Sequence, residues 1–292
     1  MSFLDAARLG QNAWWRYVLG IGFILFATLF IGGLPLVAAI VYIGLAGNPA
    51  TSVNRTTGAL TGVDPAISLA VNLASFVVAF AAIALAVRLI HRRPFVTLIA
   101  PDRRIRWRRI ALGFGVWFVL AGLISLVEQL IFPGRYALTL DLPRLLPFAA
   151  VAVLLLPIQT SAEELFFRGY LLQGVGLLTR NRLLLAALNG LMFALPHIAN
   201  PEVTVDFWLV MGFYFAFGAV LTLFVLRDNG LELALGIHAG NNLFTALLAN
   251  YKGSALETPA VFTASGFTPW YSLVSTLIGL AAIYLVFFGR RR

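Results

Sequence analysis

The chain contains no cysteine and very little charge: of its 292 residues, 11% are Asp, Glu, Lys or Arg and 60% are apolar. Without thiols it has no disulfide, no thiolate nucleophile, no iron–sulfur cluster and no Cys-type zinc site. The shortage of charge excludes an ordinary soluble domain, in which roughly 25% of residues are charged. With 13% aromatic residues, disorder is excluded as well. P-loop, Rossmann, His-Glu-x-x-His and Gly-x-Ser-x-Gly fingerprints are all absent. What remains is a mean hydropathy of +0.90 and a net charge of +9. The placement of that charge points to a membrane face, and no nucleic-acid partner is expected. The chain reads as an all-α, polytopic transmembrane bundle, one integral membrane domain over residues 1–292, most simply in the cell (plasma) membrane.

About 20 apolar residues carry a helix across the hydrocarbon core. The charge-free stretches are Tyr17–Asn54, Pro65–Val87, Ile110–Val127, Leu145–Ala162, Leu183–Pro201, Phe207–Leu226, Leu233–Tyr251 and Thr258–Gly289. They predict about eight transmembrane helices. With both termini on one side, that side collects sixteen arginines, including the terminal Arg290, Arg291 and Arg292. The other side holds Arg55, Arg135, Arg144 and Lys252, and Arg168 is left inside a span. This asymmetry makes both termini cytoplasmic. Trp14, Trp15 and Tyr17 are expected at the interface, and His91 beside Arg92 and Arg93 likewise. Gly20, Gly22, Gly174 and Gly176 are expected to let helices approach, and Asn72 and Asn189 to bridge them.

An ionised side chain at a helix centre costs roughly 2.5–3.5 kcal/mol, so intramembrane charges mark function. Most spans carry none. The fourth ends in Glu163-Glu164-Leu165-Phe166-Phe167-Arg168. Glu164 and Arg168 are four residues apart and can pair on one face. Glu163 lies about 100° around the helix and keeps its carboxylate for another task. His197 follows Pro196 in the fifth span, and His238 has Asn242 one turn on in the seventh. A carboxylate base, two imidazoles and an amide suffice for acid–base chemistry on a polar bond.

In this order on three helices, Glu163-Glu164-x-x-x-Arg168, Phe193-x-x-x-His197 and His238-x-x-x-Asn242 resemble the type II CAAX prenyl endopeptidase family. That family is also called the CPBP or bacteriocin self-immunity (Abi) family of intramembrane proteases. The resemblance is specific over 145–251, which would be the catalytic core. It implies an endopeptidase acting on membrane-associated protein or peptide substrates, lipidated or not, in contact with membrane lipid. Carried over by position, Glu163 would activate the attacking water and His197 would help to hold it. His238 and Asn242 would stabilise the oxyanion, with Glu164 and Arg168 supporting the site.

Depth and metal are the points of tension. Counted along ideal helices, His238 and His197 lie roughly 10 Å and 22 Å from the Arg-rich end. Glu163, roughly 27 Å from the outer end of its stretch, agrees with His238 on the cytoplasmic half; His197 does not, unless the helices bend at Pro157 and Pro196 or the fourth extends well past the bilayer. Two Glu and two His also suit Zn²⁺, with Glu163, His197 and His238 as first ligands. A metal-free reading is favoured, because Asn242 is a poor zinc ligand and a good oxyanion donor. A transporter or channel would also place ionisable groups at mid-membrane, but in two related halves. A non-catalytic scaffold or immunity protein would keep the residues without turnover.

The charge asymmetry generates a first prediction. A reporter fused after Arg292 scores as cytoplasmic and one inserted near Asn54 as external; the reverse pattern would overturn the orientation.

Overall fold

The computed structural model describes residues 1–54, 58–256 and 258–289. Arg55 and the terminal Arg290, Arg291 and Arg292, counted in the charge balance, lie outside them. The long helices start where short polar side chains can satisfy the first free N–H groups. Asp64 accepts from Ala66 N ahead of α3 (Pro65–Leu85), and Asp141 from Arg144 N ahead of α5 (Leu142–Glu164). Asn181 does so for α7 (Arg182–Ala194) and Asp206 for α8 (Phe207–Asp228). Between these come α1 (Trp14–Phe26), α2 (Leu34–Ala46), α4 (Trp107–Ile131) and the short α6 (Leu172–Val175), and α9 (Glu232–Leu247) and α10 (Pro269–Phe288) complete the bundle.

All eight charge-free stretches become helical, but among the described residues seven give helices long and apolar enough to span, the first being Trp14–Ala46. The exception is α9. Its stretch is 19 residues by sequence, yet its helix stops at 16 because Ala249–Tyr251 pairs as a strand. Leu233, Ala234 and Ile237 are fully buried, so protein rather than lipid surrounds it. The apolar run there encodes a core helix.

That position depends on glycine. The most extensive helix contact is α4 with α9. A Cβ on Gly236 would sit 2.1 Å from Ile110 O, and one on Gly240 2.9 Å from Phe114 O. Gly236-x-x-x-Gly240 is a small-residue seam against the α4 backbone, and His238 lies between its two glycines. Gly20, Gly174 and Gly176 likewise meet Tyr170, Tyr17 and Leu4, as expected, whereas Gly22 has nothing within 4 Å. Asn189 does bridge helices, donating to Phe167 O and accepting from Thr222. Asn72 instead holds Gly58 O and its own helix.

Two short sheets cover one face. Ser52–Val53 (β1) pairs antiparallel with Leu60–Thr61 (β2). Tyr136–Leu138 (β3), Phe262–Ala264 (β5) and Ala249–Tyr251 (β4) form a second, in the order β3-β5-β4. At the Arg-rich face, Arg106 bonds Asp228 and Glu232, and Arg109 bonds Asp228. Part of the basic loop is therefore held by carboxylates on α8 and α9. His91 departs from expectation. It is fully buried, with its ring nitrogens 2.9 Å from Gln11 O and 2.7 Å from Tyr170 Oη, and Tyr17 turns inward onto the same ring. Trp14 and Trp15 remain exposed. Proximity to Arg92 and Arg93 misleads at His91, because the Gly10–Gln11 backbone that follows the N-terminal 3₁₀ turn (Leu4–Leu9), with Tyr17 and Tyr170, encloses it.

These packing distances predict that Gly236→Ala destabilises the protein by about 1–3 kcal/mol through overpacking, whereas Gly22→Ala is near neutral. Thermal unfolding in detergent would separate the two, and equal midpoints would refute the seam.

Candidate active site

The two glutamates close α5, but the helical path continues. After Glu164 the chain widens into a π-helix, Leu165–Leu171, and then α6, so the span reaches Val175. Glu163 thus lies roughly 18 Å from the Arg-rich end rather than at it. This extension brings its depth to that of His197. The fifth span does more than bend at Pro196: α7 ends at Ala194 and a 3₁₀ turn, Leu195–Ala199, carries His197. Inserted π turns are often found at functional sites.

Arg168, inside the π segment, donates from Nη1 to Glu164 Oε1 at 2.7 Å, both side chains being fully enclosed. The same oxygen is 2.8 Å from His238 Nδ1. That contact makes Nδ1 the donor and turns Nε2 the other way, toward Glu163 Oε2 at 3.7 Å. One imidazole is therefore set between two adjacent carboxylates. Phe193 lies beneath: the Arg168 guanidinium is 4.0 Å from its ring centroid, and the His197 and His238 rings are 4.9 and 5.9 Å away. The apolar member of the Phe193-x-x-x-His197 motif thus packs against all three basic side chains.

Glu163 is not without a partner, as its position alone implied. Gln159, one turn earlier, donates a hydrogen bond to its Oε1. Gln159 Oε1 in turn accepts from Asn242 Nδ2 at 3.0 Å, and Asn242 Oδ1 accepts from Asn241. Sequence reasoning passed over Gln159, although a glutamine four residues before an intramembrane glutamate was a readable signal. It also passed over Tyr214, whose ring stacks on His197 at 3.9 Å. His197 Nδ1 bonds Phe193 O at 2.8 Å, leaving Nε2 as its free nitrogen.

Glu163, His197, His238 and Asn242 line one cavity of about 900 Å³, with aromatic walls from Phe166, Phe167, Phe193 and Phe217. Glu164 and Arg168 sit behind the wall. Among the described residues, no group of three His, Asp or Glu side chains is placed to hold a metal ion. The Zn²⁺ donor set named from sequence, Glu163, His197 and His238, does not form such a group, although each histidine engages Nδ1 and leaves Nε2 free, as metal-ligating histidines do. No chemical step below is routed through a metal.

The fold and site define a multi-pass integral membrane protein, and the comparisons give its class. The chain belongs to the type II CAAX prenyl endopeptidase Rce1-like family. The family model matches residues 143–244. An uncharacterized protein of Bacillus subtilis (strain 168), YyaK, is 35% identical over 283 residues, covering 96% of this chain and 92% of its own. No solved structure matches.

The enclosed pair sets the second stability prediction. Glu164→Gln leaves Arg168 buried and unpaired, and breaking such a pair costs about 3–5 kcal/mol. Glu163→Gln, at the cavity wall, should lower the unfolding midpoint far less. Equal losses would contradict the division of labour.

Proposed function

We propose that the protein is a glutamate-type intramembrane endopeptidase, with its catalytic core at 145–251. The observation that supports this reading best is Glu163: a carboxylate 14% exposed, fixed by Gln159 through Oε1, with Oε2 beside His238 at the wall of a cavity large enough for a peptide.

Glu163 takes a proton from water as the oxygen attacks the peptide carbonyl carbon, and the carbonyl π electrons pass to its oxygen. His197, through Nε2, helps to hold that water. The oxyanion is held by Asn242 and by His238 in its imidazolium form, which donates from Nε2 as well as from Nδ1. Asn242 has a second amide N–H beyond the one given to Gln159. On collapse the C–N bond breaks, and the proton on Glu163 passes to the leaving nitrogen, giving a carboxylic acid and an amine. Donors in such a dry site are typically worth about 10²–10³ in rate each. Glu164 and Arg168 act by holding His238. The substrate is a membrane-associated protein or peptide; both termini are cytoplasmic on the charge asymmetry, and the apolar surface meets lipid.

Purified protein should cleave a membrane-anchored peptide pool, and Glu163→Gln should abolish turnover, since an amide cannot take the proton. Activity should persist after exhaustive chelation. Cleavage by Glu163→Gln at the parent's rate would sink the mechanism, and loss on chelation with restoration by Zn²⁺ would sink its metal-free form.

A further inference from the structure

The cavity holds a second buried carboxylate that this chemistry does not use. Glu202 stands on a 3₁₀ turn, Pro201–Thr204, between α7 and α8, five residues past His197. It is 5% exposed. Its Oε1 accepts from Tyr214 Oη at 2.7 Å and from Asn200 Nδ2 at 3.4 Å. Its Oε2 is enclosed and has no hydrogen bond of ordinary geometry, the Tyr251 hydroxyl being a polar neighbour of the carboxylate. A nearby buried hydroxyl, Ser254 Oγ, lacks such a bond too, and both residues line the cavity.

Charge around the cavity is one-sided. Glu128, Glu163 and Glu202 line it, and among the described lining residues there is no Lys or Arg. Glu128 is compensated by Arg135 Nε at 3.4 Å. Glu163 faces His238. Glu202 has no cationic side chain within ion-pair distance among the described residues. Burial, and then the Glu202 carboxylate, push the Tyr251 hydroxyl well above the usual phenol range. Tyr251 therefore stays a neutral neighbour and supplies no positive charge. A carboxylate left half-satisfied in an apolar enclosure is costly unless a partner arrives.

We propose that Glu202 forms a subsite for a cationic group of the substrate, a lysine or arginine side chain or a free amine, seated in the cavity beside the reacting bond. This rests on reading the cavity as a peptide site and adds a charge preference to it. Glu202 is a specificity residue here, apart from the Glu163 chemistry. Its contact with Tyr214, which stacks on His197, offers a competing role in positioning, and the two roles separate by charge. A glutamine at 202 can still accept from Tyr214 and Asn200 but cannot neutralise a cation.

The test uses the full chain carrying Glu163→Gln in neutral phosphatidylcholine nanodiscs, so that the catalytic carboxylate does not compete. The probes are n-decylammonium and 1-decanol, matched in their apolar tails, with affinity read from the shift of thermal midpoint with concentration. The ammonium should bind about tenfold more tightly than the alcohol, equivalent to about 1.4 kcal/mol, and Glu202→Gln should remove the difference. Glu202→Asp, which keeps the charge, should restore much of it even if the site is less stable. Equal affinities in the parent, or a preference that survives Glu202→Gln, would overturn the subsite. With the active protein and a peptide pool, cleavage should be enriched at sequences with Lys or Arg near the scissile bond, and Glu202→Gln should flatten that enrichment. An ammonium preference without any cleavage would refute the protease reading and keep the subsite; cleavage without the preference would do the opposite.

Discussion

A single buried oxygen, Glu164 Oε1, takes hydrogen bonds from two helical segments at once: Arg168 one turn along its own span, and His238 on α9. An ion pair in such a setting is weak evidence for net stability, because desolvating both charges offsets most of their attraction. Its value lies in geometry. Because Glu164 is already neutralised by Arg168, it can accept from His238 without a second cation. Because it accepts from Nδ1, the other face of the ring is directed at Glu163. The order of the two glutamates therefore matters: one helical step apart, the first faces the cavity and the second faces the protein.

This arrangement requires α9 to lie close to α5 and α4, and the sequence encodes that with small residues rather than polar ones. Gly236 and Gly240 let α9 settle on the α4 backbone at Ile110 and Phe114. His238 projects from the stretch between them, and Phe193 fills the space below. A Cβ at either glycine would force α9 and α4 to shift apart, most at Gly236, and the shift would act on the bond between His238 and Glu164. The short, enclosed α9 is thus a mount for one side chain and its Asn242 neighbour.

Much of this was legible because polar residues stand out against an apolar background. Glu163, Glu164, Arg168, His197, His238 and Asn242 could be picked out one by one, and the i, i+4 pairing of Glu164 with Arg168 followed from helical spacing alone. What could not be read depended on contacts between distant segments. His91 lies in a basic loop, and only the fold shows the backbone after the N-terminal turn enclosing it. The shortness of α9 depends on β4 finding β5, with Ala249 opposite Phe262. The π turn after Glu164 has no apolar signature at all. Glu202 was overlooked for a different reason: it follows Pro201 in an ordinary connecting turn, and its burial comes from Tyr214 on the next helix.

Two breaks in regular helix, Leu165–Leu171 and Leu195–Ala199, lie at the site, and polar side chains bond the backbone at both. Within a bilayer, a backbone carbonyl that loses its helical donor needs a replacement inside the protein. Where α7 stops ahead of Pro196, the His197 ring bonds the Phe193 carbonyl. In the π segment the Phe167 carbonyl keeps a backbone donor, Leu172 N, and Asn189 adds a second bond to it while taking one from Thr222. The irregular backbone and the polar side chains are thus mutually dependent. The hydrogen bond that satisfies Phe193 O also fixes which nitrogen of His197 remains free. Local unwinding therefore orients the imidazole as well as making room for it, and the orientation is supported by backbone rather than by a mobile partner. In the proposed chemistry His197 is thereby turned toward the water beside Glu163, while His238, oriented by Glu164, and Asn242 face the oxyanion.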